Sequence, residues 1–508
     1  MNDIDINNKK FIFGSLFKSV EGLLSEDNKA KYAQYYTGED IALYMANMFK
    51  KINKEVIRVL DPGCGIGVLT AAFLDRLIKN QNRKVKKVII TMYEIDSYVI
   101  EKLRDNMDNI CSVCKGKGID IEYSIINENF IQSFSEKEDF NISHKFDYVI
   151  MNPPYMKLID NSDDDIMLEY LGINVTNYYA AFVALAIRLL GDKGELVAIT
   201  PRSFCNGAYF LEFRMDLLNK MTFDKIHLFE SRKDLFKEDS VLQENIIFHC
   251  IKKQPKNSDK IKIIHSYSNL NDGLSSEEKK FEDVVYQNDN NLLIRIVRGV
   301  EEEEIARRIN SLECRLEELG IEVSTGPVVD FREPKEIQSK ERMLNGIPFF
   351  FSEHISMNGL EWPKKQVKKY NYISLNENNI NKMRRNGNYV LIKRMTSKEE
   401  RRRIVSAICR GDNYDYEFFA FDNKINYFHK NKSGLPLEVA KGLSLYLNST
   451  ILDRYFRTFS GNTQVNATDL RSLHYPTRKQ LTQLAEIYDD VFNNQELIDA
   501  AIENILFK

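Results

Sequence analysis

The sequence predicts an α/β protein: a mainly parallel, doubly wound sheet over residues 1–255, then a second, mixed α+β domain over 256–508. Three observations predict it. Apolar runs of five to seven residues alternate with helical stretches from Val56 to Ile251, as in a sheet covered on both faces by crossover helices. A glycine-rich turn, Asp61–Gly67, separates the first run from the first helix. The alternation then stops at the polar stretch Lys252-Lys253-Gln254-Pro255-Lys256-Asn257-Ser258, which reads as a linker.

In chain order, strands are expected at Val56–Leu60, Val88–Tyr93, Ile121–Ile126, Phe146–Met151, Glu195–Thr200, Lys225–Phe229 and Asn245–Ile251. Helices are expected from about Val68 to Ile78 and over Asn177–Leu190. Beyond the linker, Ile305, Ile309, Leu312, Leu316 and Leu319 recur at 4, 3, 4, 3 spacing. That spacing predicts one amphipathic helix over Glu301–Leu319, docked on its own domain. Short strands, aromatic-rich loops and terminal helices follow.

Composition narrows the function. A chain of 508 residues with 43% hydrophobic and 29% charged residues is globular and large enough for several domains. Lysine plus arginine is 71 against 74 acids, a net of −3. This excludes a uniformly basic protein, so nucleic-acid binding must come from a local patch. The N-terminus lacks the basic-then-apolar build of a signal peptide. The best apolar run, Tyr178–Leu190, is 13 residues long and contains Arg188, too short to span a bilayer. No membrane partner is expected. The expectation is a cytoplasmic monomer with its seven scattered cysteines reduced. Cys111 and Cys114 look like half of a zinc site, but no second Cys-x-x-Cys exists. They read as a polar loop, and no metal is expected.

Three constellations carry chemistry. Asp61-Pro62-Gly63-Cys64-Gly65-Ile66-Gly67 follows a strand and opens a helix. Glycines there let the backbone turn sharply beside the helix N-terminus, a loop that suits a nucleotide-like ligand or a tight structural turn. Glu94 ends the next strand, where an acid can accept both ribose hydroxyls or simply face solvent. Asn152-Pro153-Pro154-Tyr155 directly follows the Phe146–Met151 strand. The prolines fix the backbone and remove two donors. An amide oxygen, a carbonyl and an aromatic face then suit a planar group bearing –NH2. The bland alternative is a rigid turn.

Together, Asp61–Gly67 and Asn152–Tyr155 resemble the S-adenosylmethionine-dependent amino-methyltransferases. More narrowly, the chain resembles the gamma-class adenine-N6 DNA methyltransferases of bacterial restriction–modification systems. Tyr35-Tyr36-Thr37-Gly38 upstream matches the family's Tyr-Thr-Pro segment, with Gly38 in place of proline. Phe210–Arg214 and Gln243–Phe248 follow in the expected order. Weaker likeness extends to Ser324–Arg332 and Gly461–Asn466.

The resemblance implies a Rossmann-like methyltransferase domain followed by a target-recognition domain. It implies that Tyr36, Thr37, Asp61, Gly63, Cys64, Gly65, Glu94, Ile95, Asn129, Phe130 and Asn152 bind S-adenosylmethionine. Asn129 replaces a family aspartate that binds the adenine amino group of the cofactor, and Glu128 is the rival for that contact. The resemblance further implies that Asn152, Pro153, Pro154 and Tyr155 carry transfer to an adenine flipped out of double-stranded DNA. Phe236 is the nearest match to a second stacking aromatic, or else a core residue.

Residues 362–403 hold 13 lysines and arginines and three glutamates, a net +10. Lys364, Lys365, Lys368, Lys369, Arg384, Arg385, Lys393 and Arg394 are therefore candidate phosphate contacts, and the interleaved aromatic Trp362 is expected at the DNA with them, unless the segment is a solvated face. Arg332 is a candidate base reader. A separately encoded restriction endonuclease is the expected genetic partner. The rivals are a glutamine-N5 protein methyltransferase, which shares the Asn-Pro-Pro-Tyr loop, an RNA adenine methyltransferase, and a catalytically silent DNA-specificity subunit.

Overall fold

A computed structural model describes residues 11–17, 37–80, 83–134, 140, 145–229, 245–266, 270, 274–285, 292–297, 299–396, 400–460 and 464–508. The chain forms two compact units. One comprises residues 1–204 and 209–292, the other 205–208 and 293–508.

The first unit is built on a nine-stranded sheet. Its strands are β1 (Val56–Pro62), β2 (Lys87–Tyr93), β3 (Asp120–Ile126), β4 (Phe146–Met151), β5 (Leu190–Pro201), β6 (Met221–Phe229), β7 (Asn245–Lys252), β8 (Lys260–Ser266) and β9 (Ser275–Lys280). They are ordered β3-β2-β1-β4-β5-β7-β6-β8-β9. The first five are parallel. Strand β7 runs antiparallel to both β5 and β6, β8 is parallel to β6, and β9 closes the edge antiparallel.

Helices α1 (Glu39–Met48), α2 (Val68–Lys79), α3 (Ser97–Gly116), α4 (Asp163–Tyr170), α5 (Tyr178–Leu189) and α6 (Leu211–Lys220) complete the unit. One core joins Ile57, Val59, Val88, Ile150, Val197 and Ile199 of the sheet to Met45, Phe73, Leu77 and Leu103 of α1, α2 and α3. The alternate residues Leu60, Val149, Leu196 and Ala198 are buried as well. The central strands are thus covered on both faces, which is why they read as unbroken apolar runs.

Two expectations need correction here. The polar stretch 252–258 is the turn between β7 and β8, and the sheet continues to Lys280. The compact unit therefore ends near 292 rather than 255. The Cys111/Cys114 pair lies on α3, not in a loop, with Cys114 buried.

The second unit pairs a four-stranded antiparallel sheet with C-terminal helices. The strands are, in order, Glu322–Thr325, Ile425–His429, Tyr389–Lys393 and Ser406–Cys409. Val390, Ile392 and Phe428 pack with Leu443, Leu447 and Phe456 of the helices Leu437–Leu447 and Thr450–Phe459. A five-stranded sheet over Gln338–Phe421 forms around Phe349, Phe350 and Phe421. The amphipathic helix spans only Gly299–Asn310. Cys314 exchanges backbone hydrogen bonds with Tyr475, at 3.2 and 2.8 Å, and that extended pairing ends the helix. Leu312 and Leu316 still reach the same core.

Candidate active site

The strand order places the site. Going outward from β1 the chain runs to β2 and β3 on one side and to β4 and β5 on the other. The carboxyl ends of β1 and β4 thus flank the switch point, where open α/β sheets bind ligands. Asp61–Gly67 leaves β1 there, and Asn152–Tyr155 leaves β4.

The first loop is held from β2. The Gly63 and Cys64 N–H groups both donate to the Tyr93 carbonyl, at 2.8 and 3.0 Å. Gly63, Gly65 and Gly67 have φ of 74°, 55° and 87°, the left-handed region that side chains disfavour. At Gly67 an added Cβ would also lie 2.9 Å from Leu103 Cδ1. The Glu94 carboxylate spans the loop, accepting from Gly65 N–H and Asp96 N–H at 2.8 Å each. Burial pushes Glu94 up, opposed by those backbone bonds. Beside it, Ile95 is exposed at the strand end.

Asp61 is fully buried, and its Oδ2 accepts from the Thr70 hydroxyl at 2.7 Å. Its Oδ1 is buried with no hydrogen-bond partner. Burial pushes the carboxyl up to about 7; Thr70 opposes this and the nearby Glu94 charge adds to it. Cys64 is buried and its thiol is pushed well up by burial, so it is a packing residue and not a nucleophile. A buried carboxylate oxygen without a donor is costly. A ligand carrying an ammonium group, as S-adenosylmethionine does, would supply that donor. With a glycine loop that admits close approach, Glu94 at the strand end and an exposed apolar Ile95, the residues fit this cofactor.

The second loop meets the first from the other side. Asn152 Nδ2 donates to the Thr37 hydroxyl at 3.1 Å, joining the segment before α1 to the Asn-Pro-Pro-Tyr turn. Tyr155 donates its hydroxyl to the Ile199 carbonyl of β5 at 3.2 Å, which fixes the ring. Pro153 is buried and Pro154 half-buried.

The remaining expected residues are placed as follows. Tyr36 and Phe236 lie outside the described residues. Phe130 is buried against Tyr93, Phe134 and Phe182, with centroids 4.9 to 5.4 Å apart, so its ring is part of the core. Asn129 is already engaged: Nδ2 donates to Asp164, and Oδ1 accepts from Ile131 N–H at 2.9 Å.

Sequence reasoning missed Thr70, Phe182 and Asp164. Phe182 lies 3.5 Å from where a Gly63 Cβ would be. It also missed Asn127, whose Nδ2 donates to the Glu94 carbonyl at 2.8 Å. Thr70, one turn into α2 from the glycine loop, had the only local signal.

In the second unit the basic segment is sorted by burial. Arg384 is buried, donating Nε to the Tyr427 hydroxyl at 2.7 Å, so it cannot meet a phosphate as expected. Trp362 donates its indole N–H to the Asn371 carbonyl at 2.8 Å and packs among Phe350, Tyr372, Tyr414 and Tyr416. It is half-buried, its ring held against the cluster around Phe350. Lys369 is paired with buried Asp330 at 2.7 Å, and Lys364 donates to the Glu353 carbonyl at 3.1 Å. Arg394 holds the Asn423 carbonyl and Gln464. Lys393 is half-buried, whereas Lys365, Lys368 and Arg385 are exposed. Arg332 is exposed too, its guanidinium over the Phe331 ring.

No group of three metal-ligating side chains and no helix long and apolar enough to cross a membrane occurs among the described residues.

Residues 72–236 match the family model described as Eco57I restriction-modification methylase. The chain is 41% identical over 498 residues to type II methyltransferase M.PstI of Providencia stuartii, covering 97% of this chain and 96% of that protein. Type II methyltransferase M.BsuBI of Bacillus subtilis is 41% identical over 490 residues, covering 94% and 95%. Among solved structures, a nuclease-deletion mutant of the type ISP restriction-modification enzyme LlaGI, in complex with a DNA substrate mimic, aligns with 91% of this chain. The alignment takes in 47% of that structure's chain, about half its length, with a TM-score of 0.53 at 12% identity, a likeness of fold alone.

Proposed function

The chain belongs to the type II methyltransferases of restriction–modification systems, and on that premise we propose that it methylates adenine at N6 in double-stranded DNA with S-adenosylmethionine. The observation that carries the reading is the Asn152–Thr37 hydrogen bond at the switch point, opposite the loop that carries Asp61. It supports a single site in which a cofactor loop and an amino-binding loop converge.

In this reading Asp61 receives the ammonium end of the cofactor, Gly63 and Gly65 admit its close approach, and Glu94 and Ile95 face its ribose and base. When bound, the cofactor supplies an activated methyl group. An adenine amino group is a weak nucleophile because its lone pair is delocalised into the ring. The Asn152 side-chain oxygen and the Pro153 carbonyl hold the two amino hydrogens, which draws the lone pair out of conjugation. Thr37, by accepting from Asn152 Nδ2, keeps the oxygen end of that amide for the substrate. Tyr155, anchored on Ile199, stacks on the flipped base. Positioning and fixed dipoles carry most of the catalysis, and extrusion of the base costs a few kcal/mol that binding must offset. The exposed Lys365, Lys368, Arg385 and Arg332 supply the DNA contacts. The protein-glutamine reading has only the shared Asn-Pro-Pro-Tyr loop behind it.

The test is transfer from labelled S-adenosylmethionine to unmodified genomic DNA, with nucleosides identified by mass spectrometry. The expected product is N6-methyladenine, absent with Asn152→Ala although that variant still binds cofactor. Label in cytosine, or an active Asn152→Ala, would overturn the reading.

A further inference from the structure

The side chain of Asn129 is locked at both ends. Its Nδ2 donates to Asp164 Oδ1 and Oδ2, at 2.9 and 3.2 Å. Its Oδ1 accepts from Ile131 N–H at 2.9 Å. Reversing the amide would turn its oxygen onto a carboxylate and its NH2 onto an N–H, so only one orientation satisfies the surroundings.

Asp164 is equally committed. Besides Asn129, its Oδ1 accepts from Gln132 Nε2 at 2.7 Å and its Oδ2 from the Tyr178 hydroxyl at 2.8 Å. A carboxylate offers about four lone-pair positions, and three donors take them up, with Asn129 Nδ2 shared between the two oxygens. It therefore has no acceptor position left for a ligand, whereas the Asn129 oxygen, with one bond from Ile131, has a second lone pair.

The location gives the lock a purpose. Asn129 follows β3, and Asn127 just before it holds the Glu94 and Ile95 carbonyls at the end of β2. Asp164 comes from α4, which lies in sequence between the Asn152–Tyr155 turn and α5. The chain closes that stretch on itself, with Tyr178 N–H donating to the Met156 carbonyl at 3.1 Å and Leu158 N–H to Thr176 at 2.9 Å.

We infer that Asp164 is a positioning residue that fixes the Asn129 oxygen as the acceptor for the 6-amino group of the cofactor's adenine. This rests on the proposed reading of the Glu94–Ile95 corner as the adenosine side of the site. It also explains why position 129 is not a carboxylate. An aspartate there would face Asp164 as a like charge, so this corner accommodates one carboxylate, and it stands at 164.

The inference predicts a rescue. Dissociation constants for S-adenosylhomocysteine and S-inosylhomocysteine are measured by titration calorimetry on the full chain. The inosyl ligand replaces the 6-amino donor with an oxygen acceptor. Wild type should favour the adenosyl ligand. Asp164→Asn removes the carboxylate half of the lock and leaves only the Ile131 N–H to oppose reversal, so the preference should fall by up to about tenfold, the size of one lost directional hydrogen bond. Asn129→Asp should weaken both ligands through the paired carboxylates. The double variant Asn129→Asp/Asp164→Asn restores one carboxylate facing one carboxamide and should recover the wild-type preference to within about twofold. A purely structural Asp164 would lower the melting temperature and leave the preference intact, and that result overturns the inference. A double variant weaker than either single one does the same. A wild type that binds neither ligand overturns the cofactor reading itself, and this inference with it.

Discussion

One hydroxyl sets the geometry of the proposed catalytic amide. Thr37 accepts from Asn152 Nδ2 and is itself nearly buried, so a Thr37→Val variant keeps the shape and removes the acceptor. Steady-state kinetics should show kcat falling about tenfold with the DNA KM nearly unchanged, because the lost bond orients a reacting group and does not bind the duplex. Asp61 gives a pH signature. Its folded carboxyl, pushed up to about 7 by burial, titrates above its ordinary range. The native state thus holds a proton that the unfolded state has released. Stability from this group is full below the ordinary carboxylate range and is lost as pH rises through about 7. Asp61→Asn cannot titrate, so the melting temperature of the ligand-free variant should rise relative to wild type between pH 5 and 8. An ammonium-bearing cofactor favours the charged carboxylate. Its binding at pH 6 should therefore release a proton from wild type and not from Asp61→Asn, as read by calorimetry in buffers of different ionisation enthalpy.

Strands β5, β6 and β7 meet at a buried charge cluster. Fully buried His249 of β7 places Nε2 2.8 Å from Glu195 of β5 and Nδ1 3.1 Å from Asp224 of β6. Burial pushes both carboxyls up, but the interactions with His249, joined by those with Lys50, prevail and hold both below their ordinary range. Their contribution is present above that range and is lost as pH falls through the depressed values. His249→Gln should cost about 1–3 kcal/mol at pH 7 in chemical denaturation, since a carboxamide cannot serve both carboxylates and leaves a polar group inside the sheet without its partner. The gap should narrow at acid pH. The strands themselves were readable from sequence. Phe146–Met151 matches at both ends, its carboxyl end because Asn152-Pro153-Pro154 cannot extend a strand. Lys260–Ser266 was not read because polar flanks hide Ile261, Ile263 and Ile264. The 4-3-4-3 spacing past Asn310 reported burial of Leu312 and Leu316 correctly, but burial periodicity says nothing of the backbone pairing at Cys314. Asp164 had no signal at all, since its partner Asn129 stands on another element.

Across the whole chain, a net charge of −3 means that attraction to DNA cannot come from the overall field. It must come from a few exposed cations, and composition cannot say which. The net +10 of residues 362–403 mixes two populations that look alike in sequence. Arg384, Arg402 and Arg403 are buried, with Arg403 donating to Thr396 and Ser460, and serve the packing of the second unit. Lys365, Lys368 and Arg385 face solvent. The two populations should separate in one measurement, the dependence of DNA affinity on salt by fluorescence anisotropy. Each phosphate contact contributes about 0.9 to the slope of log affinity against log salt, so Lys365→Gln/Lys368→Gln/Arg385→Gln should flatten it by about 2.7. Arg384→Gln should leave the slope unchanged and lower the melting temperature, because it strands the Tyr427 hydroxyl in the core. If the triple variant keeps the wild-type slope, those cations lie off the duplex. The contact then falls to other exposed positions, foremost the Arg332–Phe331 pair, whose ring is 74% exposed. Arg332→Gln would in that case lower affinity for the target sequence more than for random DNA, as a base contact does and a phosphate contact does not.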